Sequence, residues 1–311
     1  MSAIIKIKNL SKKFKDLTAV NKINLAINKG EIFGLLGPNG AGKTTTISML
    51  STLLKPSSGT AVVNGYDIGK HPAKVRDSMG VVFQDSVVDS DLTAYDNLDF
   101  HARLYKIPND LKEKRIKEVI ELVNLSEYLK KPVETFSGGM KRRLEIARGF
   151  LHHPKVLFLD EPTLGLDPQT RRHIWDYILQ LRKRENITIV LTTHYLEEAD
   201  FLCDRIAIID HGKIIVLGEP GQLKNRLRGD VIKIKLSRIN VNIVKMLKRI
   251  KAKKLDIVNN EISIVTKNAE SKIAGIVDIL KRSNHSKIES IFIHKPTLED
   301  VFLYYTGKEI R

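Results

Sequence analysis

With 311 residues, 42% of them apolar and 28% charged, the chain is long enough for a large and a small domain, and its composition excludes a disordered polymer. Its longest apolar runs are strand-sized, far short of the ~20 residues a membrane helix needs, which excludes a chain that crosses a bilayer by itself. The net charge of +16 points toward a polyanion, yet 20 Lys and Arg against 9 Asp and Glu, a net of +11, lie in residues 224–311, so the basic character belongs to the end of the chain.

In chain order, two strand patterns come first, IIKIKNL and INLAIN. The opening residues carry lysines where a signal peptide needs an apolar stretch and a cleavage site, so a cytoplasmic chain is expected. The apolar strand IFGLL then runs through a glycine-rich loop into a helical pattern that begins at Lys43. Further strands are read at TAVVNG, MGVVFQ, KVLFLDE, ITIVLTT, RIAIID and KIIVLG, the later ones alternating with helices near residues 140–152, 168–184 and 195–203. Such alternation predicts a largely parallel sheet covered by helices. Residues from about 85 to 151 read as helical and strand-poor, an insertion in the α/β core. The lone Cys203 sits among apolar neighbours and is expected to be a packing residue.

After a two-residue hairpin turn at His211 and Gly212 and a break at GEPGQ, the pattern changes. IKIKL, VNIVKMLKRIKA, LDIVN, EISIVT, KIAGIVDILKRS and SIFIH spell β-α-β-β-α-β, the order of a ferredoxin-like α+β unit. The domains are therefore placed at 1–228 and 229–311.

Gly37, Pro38, Asn39, Gly40, Ala41, Gly42, Lys43 and Thr44 match G-x-x-x-x-G-K-[ST] between an apolar strand and a helix. Glycines let backbone N–H groups turn toward phosphates, the Lys43 ammonium suits the β/γ-phosphates, and the Thr44 hydroxyl suits Mg²⁺. The strand VLFLD ends in two acids: Asp160 can join a Mg²⁺ shell and Glu161 can polarise a water aimed at a γ-phosphate. Two acids at a strand end can also be a plain solvated turn; it is the phosphate loop that favours the catalytic reading. His194 follows ITIVLTT at a strand tip, where it can meet a γ-phosphate, though it is one of nine histidines. The Gln84 amide can join the Mg²⁺ shell or be a surface amide.

Together these elements resemble the ATP-binding cassette ATPases over residues 3 to 225: a P-loop NTPase α/β domain with a helical insertion, here followed by the small α+β domain. Residues Gly37 to Thr45 look like the Walker A loop, with Thr45 its last member. Gln84 looks like the Q-loop, residues 156–161 like Walker B, 164–167 like the D-loop with Asp167 at its end, and His194 like the switch histidine. Phe14 stands where the family places an adenine-stacking aromatic, and a core phenylalanine remains the alternative. The resemblance implies ATP and Mg²⁺, with Lys43, Gln84, Glu161 and His194 in catalysis.

The segment FSGGM resembles the family's LSGGQ signature, with Ser137, Gly138 and Gly139 kept, Phe136 in place of Leu and Met140 in place of Gln. Since the chain has its own phosphate loop, the resemblance implies that these donors serve the ATP of a second subunit in a head-to-tail dimer. That subunit is either another copy of the chain or a paralogue. The end KPTLEDVFLYYTG resembles the daunorubicin-resistance type of export ATPase, although helix capping by Thr297 and Asp300 explains the same residues. Such ATPases pair with a separately encoded membrane-spanning permease, so the expected location is the inner face of the membrane, where the basic domain can meet anionic headgroups. Two other readings are a soluble cassette acting on nucleic acid or ribosomes and an inactive cassette used for docking. Against the first, the chain has neither a second cassette nor a long coiled coil, so no nucleic acid is expected; against the second, Lys43, Asp160, Glu161 and His194 are all present. Export is favoured over import, and the substrate is left open among drug, lipid and polysaccharide.

Overall fold

The computed structural model describes residues 2–227, 229–239, 247, 254–267, 269–282 and 287–307. Contacts divide the chain into two compact units, Met1–Ile214 and Ile215–Arg311, whereas the sequence reading puts the junction at 228/229.

The first unit carries two sheets, and the edge strand of the second, β10 (Lys213–Gly218), runs across the division at 214/215. Strands β1 (Ala3–Phe14) and β2 (Leu17–Asn28) pair antiparallel across a turn at Lys15 and Asp16, with Lys15 at φ 47°. With β4 (Ser58–Val63) and β5 (Tyr66–Asp67) they form a sheet of order β2-β1-β4-β5. This sheet is antiparallel throughout, so the parallel arrangement expected from the β/α alternation holds only for the second sheet. The second sheet has the order β10-β9-β3-β8-β7-β6. Its members are β3 (Ile32–Leu36), β6 (Met79–Val82), β7 (Val156–Asp160), β8 (Thr188–Thr193), β9 (Arg205–Asp210) and β10 (Lys213–Gly218). From β9 to β6 the neighbours run parallel. Every residue of β3, β7 and β8 is buried, which is why these strands read as unbroken apolar runs rather than as alternation. His211 and Gly212, at φ 46° and 72°, make the two-residue turn between β9 and β10, as the sequence indicated.

Between β6 and β7 the described chain is helical: α3 (Ala94–Leu104), α4 (Asn109–Leu122) and α5 (Gly138–Phe150), with two short 3₁₀ turns before α5. Thr93 and Asp96 close a reciprocal capping box at the start of α3. The remaining helices of this unit are α1 (Lys43–Leu50), α2 (Pro72–Asp77), α6 (Pro168–Glu185) and α7 (Leu196–Leu202). Cys203 is buried as a packing residue, and its Sγ would lie 2.8 Å from a Cβ added at Gly34, so a larger residue in that part of β3 would collide with it.

The second unit contains α8 (Pro220–Arg226), β11 (Asp230–Leu236), β12 (Lys254–Val258), β13 (Glu261–Thr266), α9 (Ala269–Arg282), β14 (Ile288–His294) and α10 (Leu298–Thr306). Its sheet, β12-β13-β11-β14, is antiparallel at every pairing, the strand order of a ferredoxin-like unit. The helix read at 241–252 lies outside the described residues except for the buried Leu247, which joins Ile232, Ile264 and Ile276 in the core. Thr297 and Asp300 form the capping box expected of α10, and Asp300 also holds His294 at 2.8 Å.

Candidate nucleotide site

The loops that leave adjacent parallel strands at their C-terminal ends converge on one crevice, the place where an open α/β sheet binds ligands. After β3 comes the glycine-rich loop, after β7 comes Glu161, and after β8 comes His194. The cleft between them is about 510 Å³ and is walled by Pro38 to Thr45, with Phe14, Leu17, Ala19, Gln84, Glu161, Leu164 and His194 around it. Helix α1 opens into it, so its first backbone N–H groups, which have no partner within the helix, are available to an anion. Gly42, its N-cap, has φ 105°, and an added Cβ would come within 2.4 Å of the Ala19 carbonyl, so this turn excludes any side chain.

Lys43, only 5% exposed, donates to the Gly37 carbonyl at 2.7 Å and lies 3.2 Å from Glu161 Oε1. The latter contact is an ion pair by distance; Oε1 accepts no aligned hydrogen bond. Glu161 Oε2 is 2.8 Å from His194 Nδ1, so the buried carboxylate is bracketed by a cation and an imidazole. Glu161 has a left-handed backbone, φ 48°, and its N–H is fixed by Thr192 Oγ1 at 3.0 Å and Thr192 O at 3.2 Å. The Thr192 hydroxyl also donates to Asp160 Oδ1, which receives the Thr44 hydroxyl at 3.1 Å.

Phe14 is 44% exposed and lines the cleft, which rules out the core alternative. Gln84 lies beyond the end of β6 at Val82, on the cleft wall and exposed. Leu164, the first residue of the D-loop segment, lines the cleft, and Thr192, Leu17 and Ala19 belong to the site without having been singled out from sequence; the T-T-H run before His194 is the only local signal for Thr192.

Ser137, Gly138, Gly139 and Asp167 do not line this cleft. Ser137 caps α5 through the Met140 N–H at 3.3 Å, and Gly139 packs so that an added Cβ would stand 2.4 Å from Thr170 Cγ2. Asp167 caps α6 by accepting the Thr170 N–H at 2.9 Å, and the Thr170 side chain and backbone hold its carboxyl below the usual range. Phe136 is buried, edge-on to Tyr128 at 6.0 Å, so the departure from leucine fills core space. Met140 is half-buried.

A sequence profile described as ABC transporter matches residues 20–164. The chain is 39% identical to the linearmycin resistance ATP-binding protein of Bacillus subtilis, over 99% of the chain and 100% of that protein. It is 36% identical to the daunorubicin/doxorubicin resistance ATP-binding protein of Streptomyces peucetius, over 97% of the chain and 92% of that protein. A dimeric ATP-binding cassette solved in a post-hydrolysis state with ADP and Pi matches with a TM-score of 0.62 and 27% identity, covering 69% of this chain and 98% of that one.

Proposed function

We propose that this chain, which belongs to the ABC transporter family as an ATP-hydrolysing exporter subunit of the daunorubicin-resistance type, works as one of two subunits that close head to tail around ATP. The observation that carries the reading is the separation of two phosphate-binding elements within one chain. The cleft gathers Lys43, Glu161, His194 and the Walker A loop, while Ser137 and Gly138 stand exposed at another helix N-terminus and line no part of it. Phe14 is placed to stack on adenine and the loop with Lys43 to grip the phosphates. The Ser137, Gly138 and Gly139 donors, with Asp167, whose partner Thr170 packs against Gly139, then serve the nucleotide of the second subunit, a copy or a paralogue.

In this reading Glu161 polarises the attacking water and His194 holds that carboxylate in place while facing the γ-phosphate. The Thr44 hydroxyl and the Asp160 carboxylate meet at 3.1 Å, and Gln84 lines the same cleft, a set of oxygen donors that fits Mg²⁺. When bound, Mg²⁺ supplies charge neutralisation of the phosphate oxygens.

No helix among the described residues is long and apolar enough to cross a membrane. We assign the transport path to a separately encoded permease and place the ATPase at its cytoplasmic side, with the +11 carried by residues 224–311 near anionic headgroups. A groove beside the Q-loop supports this assignment. It is lined by Leu53, Phe83, His101, Tyr105, Arg148 and His152. Leu53 is 62% exposed, and Arg148 Nε and His152 Nδ1 are buried without partners. Burial pulls His101 to about 3 and His152 to about 4, so both rings are neutral at physiological pH and the groove is suited to an apolar segment with a few polar groups. A cytoplasmic segment of the permease is the occupant we assign.

Affinity purification from the native host tests the function: the ATPase should be recovered with a membrane-spanning protein and without RNA or DNA. Recovery with nucleic acid instead would favour the soluble-cassette reading.

A further inference from the structure

Arg142 sits in the second turn of α5, five residues after Ser137, between Lys141 and Arg143. Its side chain is only 8% exposed, and all five of its N–H groups are used. Nε donates to the Pro162 carbonyl at 2.8 Å, and Nη2 to the carbonyls of Asp160 at 2.9 Å and Glu161 at 3.0 Å. Nη1 donates to the Phe83 carbonyl at 2.6 Å and to Glu145 Oε2 at 2.8 Å.

These acceptors are not a random set. Three are consecutive carbonyls at the point where β7 ends and the chain turns through the left-handed Glu161, and where leaving the ladder strips carbonyls of their sheet partners. The fourth belongs to the residue directly before Gln84. The fifth, Glu145, uses its other oxygen to accept the Val87 N–H at 3.0 Å, so the Q-loop is held on both sides of Gln84. A planar guanidinium spans several oxygens in fixed directions, which a lysine ammonium cannot do.

We infer that Arg142 is a positioning residue for hydrolysis: it sets the backbone from which the Glu161 carboxylate projects and ties it, with the Q-loop, to the helix that begins at the signature segment. Glu161 is then held from its N–H side by Thr192 and from its carbonyl side by Arg142. Given the head-to-tail reading, on which this last step rests, Ser137 senses the partner's nucleotide while Glu161 and Gln84 act on the chain's own. Arg142 joins the two rigidly, so closure at one site is felt at the other.

The test compares Arg142→Lys and Arg142→Gln in the full chain, measuring melting temperature, ATP affinity by titration, and kcat and KM. Lysine keeps a charge beside Glu145 but cannot hold three carbonyls and Phe83 together. Loss of Glu161 placement is expected to lower kcat by about 100-fold, the cost of an ångström-scale misplacement. ATP affinity should stay within about threefold, because the five hydrogen bonds of Arg142 go to Phe83, Glu145 and residues 160–162 and none to the Walker A loop, and a purely structural residue would instead leave kcat per folded, ATP-binding subunit unchanged. A kcat within about twofold of the parent in either folded variant overturns the proposal, as does failure of both variants to fold, which would assign Arg142 to stability alone. The dimer is assayed separately with Glu161→Gln. If that protein stays monomeric while the Arg142 variants lose kcat, the link between sites falls and the positioning of Glu161 stands.

Discussion

The ammonium of Lys43 lies 3.2 Å from Glu161 Oε1, so the cation we assign to the phosphates and the carboxylate we assign to the water pair with each other in this structure. Binding ATP has to draw Lys43 away from that carboxylate. Glu161→Gln removes the competing charge, so ATP affinity should be equal to or tighter than the parent's, while kcat falls by about 10²–10⁴-fold with the loss of the general base. Nucleotide titration and steady-state ATPase assays on the same preparation check both; weaker ATP binding in the variant contradicts the competition.

Lys43→Ala and Ser137→Ala should fail in different ways. The first loses charge-assisted contacts worth about 1.5–3 kcal/mol and weakens ATP binding, by roughly 10–100-fold. The second leaves the cleft intact, so ATP affinity of the isolated subunit is kept and hydrolysis is lost. Removing the Ser137 cap costs about 0.5–2 kcal/mol of stability, which a denaturation curve measures separately. Equal loss of ATP binding in both variants would refute the division of labour.

Glu198 supplies a pH dependence. Its carboxyl is fully buried beside the cleft elements, with Oε1 accepting from the Thr163 hydroxyl at 2.7 Å and the Trp175 indole at 2.8 Å. Burial raises its pKa above the ordinary value of 4.5, and the hydrogen bonds it accepts only partly offset that. The folded protein therefore keeps a proton that the unfolded chain has released, and this group's contribution to stability falls as pH rises above 4.5. Glu198→Gln copies the protonated shape, so its melting temperature should gain on the parent as pH is raised from 4, below the ordinary carboxyl pKa, to 8. A difference that is flat or shrinks over that range contradicts the raised pKa.

Leu53→Glu places a charge in the groove assigned to the permease, away from the nucleotide cleft. Basal ATPase of the isolated subunit should be unchanged, while co-purification with the permease and stimulation by it are lost. Full retention of the permease by the variant removes that groove from the interface.

Much of the site was legible because its chemistry is local. The loop from Gly37 to Thr44 follows an apolar strand and carries its own pattern, whereas the pair Asp160 and Glu161 at the end of β7 gained its catalytic reading from that loop. For Phe14 the sequence left a core position open beside adenine stacking, since an apolar ring in a strand suits either; its exposure on the cleft wall excludes the core. The antiparallel pairing of β1 and β2 escaped because each strand shows its own alternation but not its partner. Arg142 and Thr192 escaped for a stronger reason. Their value lies in backbone groups of residues distant in sequence, the carbonyls of 160–162 and the N–H of Glu161, and no spacing along the chain encodes those meetings. The ferredoxin-like order of the second unit was readable because each element was short and bounded, and its strand order agrees.

The central claim is that two subunits close around ATP, and the mass of Glu161→Gln in saturating Mg-ATP tests it most directly. Light scattering, with the permease present and absent, should give a dimer with ATP that returns to monomer when nucleotide is removed, and adding Ser137→Ala should weaken that dimer. A Glu161→Gln protein that binds ATP yet remains a monomer under both conditions would contradict the account.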